Sequence, residues 1–169
     1  ALFKKYSEAL SKRGIEMLYH NHDFEFDTID GETIFDRLYA TLDEKELNPQ
    51  IDTCWVHYGG YNPSEYIKKY ANRLGVLHLK DFSCKALGGG PAYALIDGDG
   101  KETAKPTKED NEFKFQPLGM GRQDFKAILE AADESCVHTL IVEQDASLDR
   151  PPMEAVAISR KYLKDTFGI

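Results

Sequence analysis

A chain of 169 residues, 41% of them hydrophobic, is long enough for one domain with a core of its own. No run approaches the roughly 18 apolar residues a membrane helix needs, and no basic, apolar leader opens the sequence, so no membrane role is expected and a cytoplasmic setting fits. The formal charge of −8 and pI near 5.1 oppose a phosphate backbone and exclude general nucleic-acid binding. Cys54, Cys84 and Cys136 are odd in number, widely spaced and outside any Cys-x-x-Cys pair, which excludes a disulfide framework and a thiolate zinc site.

The chain alternates between helical and strand periods. Residues 2–13 carry apolar positions at Leu2, Phe3, Tyr6, Ala9 and Leu10 with lysines between them, and Gly14 stands where a helix ends. A strand is expected over 15–22, then a loop and a helix over about 31–42. The run Gln50 to Cys54 reads as a strand, and Asn62-Pro63-Ser64 starts a helix that runs to about Arg73. A strand follows over Val76 to Lys80. A long insertion over about 83–121 breaks the rhythm, and Asp97-Gly98-Asp99-Gly100 within it suggests a hairpin. A helix over Gln123 to Ala132, a strand over Thr139 to Glu143 and a helix from Pro152 to about Leu163 complete the order. The pattern is a helix followed by four βα units, with right-handed connections and a parallel sheet.

Ionisable residues stand where these strands end. PQIDTCW carries Asp52, GVLHLKD carries His78, LIVEQD carries Glu143, and IEMLYHNHDFEF ends in His20, His22 and Glu25. Parallel strands joined by helices place all their C-terminal ends on one face, so these side chains are expected to converge. Strand alternation puts Cys54, Lys80 and Asp145 on the same inward face, with Thr53, Leu79 and Gln144 turned towards the helices. His138, at a strand start, is read as structural. Asp97–Lys101 lacks the glycine and glutamate of a calcium loop, and no phosphate-loop lysine and serine follow Gly88-Gly89-Gly90.

Four parallel strands make half of a (β/α)8 barrel, which typically needs about 250 residues. YHNHDFEF at 19–26, IDTCW at 51–55, HLKDF at 78–82, LGMGRQDFKAILEA at 118–131 and VEQD at 142–145 resemble the xylose-isomerase-like sugar phosphate isomerases and epimerases. This TIM-barrel group also includes inosose dehydratases and endonuclease IV. The resemblance covers nearly the whole chain and implies strands five to eight of such a barrel. It leaves an N-terminal half to be supplied elsewhere, since the chain opens in mid-helix at Ala1. It implies one divalent metal, manganese first with zinc, magnesium or cobalt also suited, held by Asp52, His78 and Glu143 and by a fifth-strand carboxylate.

The fifth strand departs from the family pattern. Glu25, folding back, is the expected fourth ligand, with His20 or His22 as alternatives. The family's chemistry is abstraction of a proton next to a metal-polarised carbonyl to give an enediolate, then reprotonation, which isomerises or epimerises a sugar, ketose or sugar phosphate. Glu143 and Glu25 are the expected acid and base. Lys80 is placed to neutralise an enediolate oxygen, and His22 to shuttle protons. His20, Trp55 and His57 are expected to contact substrate. Two alternatives stay open: dehydration of an inosose or keto-sugar on the same site, and an inactive half-barrel that pairs with a second copy or with a separate N-terminal half through its open strand edges. The superfamily's endonucleases need three metals and a basic groove, and the acidic balance argues against that chemistry.

Overall fold

The computed structural model describes residues 2–88 and 111–169. Helix α1 (Leu2–Ser11) ends on Gly14 at φ +70°, where Ile15 N–H reaches back to Leu10 O, the wrap of a glycine-terminated helix. Strand β1 is only Leu18–His20, shorter than the 15–22 expected. A 3-10 turn over Phe24–Phe26 follows, and then the hairpin β2 (Thr28–Ile29) and β3 (Glu32–Thr33). Both residues of its turn, Asp30 and Gly31, have positive φ, the signature of a two-residue type I′ connection.

Helix α2 (Ile34–Thr41) begins at Thr33, whose hydroxyl accepts from Asp36 N–H. Strand β4 (Asn48–Asp52) stops two residues short of Cys54, because Thr53 opens a helix, α3 (Thr53–Tyr58). Helix α4 (Pro63–Lys69) is capped by Asn62, which accepts from Ser64 N–H. Strand β5 (Val76–Leu79) leads into β6 (Asp81–Ser83), which pairs antiparallel with β7 (Lys114–Gln116). The hairpin expected at Asp97–Gly100 lies outside the described residues. Helix α5 (Phe125–Asp133), strand β8 (Thr139–Val142) and helix α6 (Pro152–Phe167) complete the chain.

β1, β4, β5 and β8 form one parallel sheet in that order. Register and alternation sort its side chains into rows. Ile51, paired with Leu77, faces the helices, and both are fully buried. The next rung pairs Asp52 with His78 and faces the other way. On the helix side Phe26, Phe35, Tyr39, Tyr66 and Tyr70 pack ring against ring at 4.8–5.6 Å. Pairs in this arrangement contribute beyond their buried area. A smaller cluster, Trp55, Tyr58, Phe82 and Phe113, sits under the β6–β7 hairpin. The helix-facing row continues from Leu77 to Leu140 on β8, where it meets the sheet edge, and there Leu140 is 37% and Val142 42% exposed. Among the described residues no helix is long and apolar enough to cross a membrane, and all three cysteines are free.

Candidate metal centre

Four strand ends build the centre. His20 closes β1, Asp52 closes β4, His78 lies one residue before the end of β5, and Glu143 follows β8 directly. Each of the four offers a ligand atom within 4.8 Å of the others. His20 Nε2 lies 3.6 Å from Asp52 Oδ2, and His78 Nδ1 lies 2.5 Å from Glu143 Oε2. The rings of His20 and His78 meet edge to face at 4.6 Å.

Two buried atoms of the group, Asp52 Oδ2 and His78 Nε2, have no hydrogen-bond partner. Burial without a partner is costly for such atoms, so their convergence fits a cation. A carboxylate only accepts, so in a neutral His78 the contact to Glu143 sets the tautomer with Nε2 as the lone pair, the form that coordinates. Two imidazoles and two carboxylates suit zinc, manganese or cobalt.

The backbone holds these groups by specific bonds. Asp52 caps α3, its Oδ1 accepting from Cys54 N–H at 2.8 Å and Trp55 N–H at 3.4 Å. Asn21, fully buried, extends the β1–β4 ladder with its side chain: Oδ1 accepts from Asp52 N–H at 2.9 Å and Nδ2 donates to Asp52 O at 3.3 Å. Asp81, also fully buried, accepts from the amides of Phe82, Gly119, Gly121 and Gln123. It thereby clamps the 119–123 loop directly beyond Lys80. Asn21 was not singled out from sequence, although it adjoins a candidate residue. A Cβ on Gly121 would lie 2.2 Å from Asp81 Oδ1 and 2.5 Å from Phe82 O. Gly121→Ala is therefore expected to cost about 1–3 kcal/mol, the range of overpacked sites, measured by urea unfolding, and an unchanged midpoint would contradict the clamp.

Lys80 is 1% exposed and lies 2.8 Å from Asp145, 3.2 Å from Asp52 and 3.5 Å from Glu143. Burial opposes its charge, but Asp52, Asp145 and Glu143 outweigh that and hold its pKa above the ordinary lysine value. Burial raises Asp52 from 3.8 to about 7 despite the pull of Lys80.

The remaining expected site residues are placed as follows. Glu25 is not in the group of four: its Oε1 accepts from the Tyr19 hydroxyl and its Oε2 from His22 N–H, so it ties the turn after β1 while His20 takes the cluster position. Lys80 is enclosed by Asp52, Glu143 and Asp145 and is 1% exposed. Trp55 is fully buried in α3, stacked on Phe113 and His22, so it backs the site instead of forming an open wall. His57 turns away, 2.8 Å from Gln123 Oε1 and against Phe82. Cys54 is buried through the helix and not through strand alternation. His22 stays beside the group, its ring 5.4 Å from His20.

Burial, and then His78, lower the His20 pKa from 6.5 to about 4. The unfolded chain takes up this proton near pH 6.5, whereas the folded protein refuses it until about pH 4, so this contribution to stability is lost as pH falls through that window. Asp52 runs oppositely, its protonated folded form losing advantage as pH rises from 3.8 to 7. Comparison with His20→Asn isolates the first effect. In chelator, the stability advantage of wild type over the variant should shrink from pH 6.5 to pH 4, and a constant difference by urea unfolding would contradict it.

A parallel sheet with ionisable side chains gathered at its strand ends defines a barrel-type α/β protein of the kind that binds at its C-terminal face. The chain belongs to the xylose isomerase-like TIM-barrel family, whose profile matches residues 2–166. It is similar to an inosose dehydratase of Clostridium beijerinckii, 29% identical over 160 residues that cover 92% of this chain and 49% of the relative. An inosose dehydratase of Geobacillus thermodenitrificans is 25% identical, with 94% and 50% covered. Among solved structures, a sugar phosphate isomerase/epimerase from Parabacteroides distasonis superposes with TM-score 0.71 at 21% identity, covering 99% of this chain and 52% of that one. An L-ribulose 3-epimerase gives 0.60 at 14% identity, with 95% and 50% covered. The chain spans about half the length of the relatives it matches.

Proposed function

We propose that the chain carries the divalent-metal centre of an enzyme that removes a proton next to the carbonyl of an inosose or keto-sugar, with loss of water as the outcome. The observation that carries this reading is the convergence of His20, Asp52, His78 and Glu143, whose ligand atoms lie within 4.8 Å of one another, with His78 Nε2 buried and lacking a hydrogen-bond partner. A divalent ion bound there, manganese as first choice, supplies Lewis acidity that polarises the carbonyl and acidifies the neighbouring C–H. Asp52, wholly buried, is suited to holding the ion and not to moving protons. Glu143, its side chain 34% exposed, is the cluster carboxylate that a substrate can approach, and it takes the proton. His22, beside His20, supplies a proton to the departing hydroxyl, and water leaves.

Similarity to the inosose dehydratases supports dehydration. A second reading, isomerisation or epimerisation of a sugar or sugar phosphate, is favoured by one observation: the ring contacts run His22, His20, His78 and then Glu143, so the group carries a proton-transfer side chain at each end. The reaction is expected to be cytoplasmic. The open edges β1 and β8 are expected to pair with further strands, from a second copy or from an N-terminal half. Incubating the Mn2+-loaded protein in D2O with inososes and with ketoses, followed by NMR, tests both readings. Loss of water supports the first and interconversion with solvent deuterium incorporation the second. No exchange at any carbon next to a carbonyl, in protein shown to hold Mn2+ and to be paired at its edges, would sink both.

A further inference from the structure

Lys80 lies among the acids instead of at the mouth of the site. Its ammonium touches Asp52, Glu143 and Asp145, and the rings of Trp55 and Phe115 close over it at 4.9 and 5.4 Å. Two of its three acids belong to the ion-binding group, and the third, Asp145, does not. Asp52 Oδ2 is the telling atom. Lys80 Nζ stands 3.2 Å from it and His20 Nε2 3.6 Å. This oxygen already faces an internal cation at the place where an arriving ion would bind.

We propose that Lys80 is the built-in counter-cation of the cluster: in the ion-free protein it offsets the acids that a divalent ion would neutralise, so ammonium and ion compete for Asp52 and Glu143. The proposal rests on the metal-centre reading. Buried carboxylates without a cation are strongly unfavourable, so an ion-free site of this composition needs a positive charge of its own. The same charge, a few ångströms from the ligand oxygens, repels an arriving ion. Asp145, the closest of the three acids at 2.8 Å, keeps Lys80 paired once the ion has taken the other two. With both imidazoles neutral, a divalent ion balances Asp52 and Glu143, and Lys80 balances Asp145. Lys80 thus exchanges metal affinity for a cluster that is shaped before the ion arrives.

The test is Mn2+ calorimetry on stripped wild-type and Lys80→Met proteins, with melting curves for each. The variant is expected to bind Mn2+ about tenfold more tightly or better, as removal of a like charge at this range requires. It should melt below wild type without the ion, with the gap narrowing at saturation. Unchanged or weaker binding overturns the proposal, because loss of affinity is the result expected of a residue that merely orients ligands. Wild type that binds Mn2+ with an unchanged constant in the variant sinks Lys80's role alone, whereas no binding to either protein sinks the metal centre with it. Should Lys80→Met fail to fold, the double variant Lys80→Met/Asp145→Asn, which removes the pair with no change in net charge, carries the same comparison. Tighter Mn2+ binding there supports the proposal, and equal or weaker binding overturns it.

Discussion

Asp52→Ala is expected to lower Mn2+ affinity by more than about a hundredfold, beyond the ten- to hundredfold typical of residues that only orient ligands. The reason is that Asp52 does three things at once. It supplies the buried Oδ2 of the cluster, its Oδ1 caps α3, and the same Oδ2 is an ion-pair partner of Lys80. Alanine removes all three, so a stability loss accompanies the metal loss: about 1 kcal/mol for the cap, and up to about 3–5 kcal/mol for breaking a buried ion pair. The lower part of that range applies, because Asp145 and Glu143 still hold the ammonium. Asp52→Asn separates the roles, since asparagine caps a helix as well as aspartate does. It should lose the metal yet stay about 1 kcal/mol more stable than the alanine variant. Metal content after dialysis and urea unfolding read the two effects. Full metal occupancy in both variants would remove Asp52 from the centre.

Glu143→Gln should abolish proton abstraction while leaving the fold unchanged. Glutamine preserves the shape of the side chain but is no base, and losing a general base costs about 10²–10⁴ in rate, or roughly 3–5 kcal/mol of barrier. Its place just past an edge strand, with the side chain 34% exposed, means that little packing is lost. The measurement is washout of solvent deuterium into the position next to the substrate carbonyl. Near wild-type exchange in the variant would exclude Glu143 as the base and move that role to His22.

What could be read from the sequence was what period-two alternation and strand-end chemistry determine. Asp52, His78 and Glu143 each end an aliphatic run, and parallel strands must deliver such residues to one face. The fourth member stayed open between Glu25, His20 and His22: β1 ends at His20, which lies in the group of four, while Glu25 bonds the Tyr19 hydroxyl and His22 N–H. Cys54 was read as strand for a related reason. TCW fits a strand as well as a helix over three residues, and the choice was made by Asp52 capping the backbone that follows it. The β2–β3 hairpin was present in the sequence as Asp30-Gly31 but was absorbed into an expected helix. The clamp formed by Asp81 joins residues 38 to 42 positions apart, and no local pattern reports such a bond.

The exposed row at β8 ties the chain's thermodynamics to its surroundings. Leu140 and Val142 occupy the positions where Ile51 and Leu77 are fully buried, so the folded state still has apolar surface to remove from water. Anything that covers this seam binds the folded chain and not the unfolded one, and stabilises it by mass action. The melting temperature is then not a constant of the sequence. It would rise with the concentration of any partner that covered these two residues.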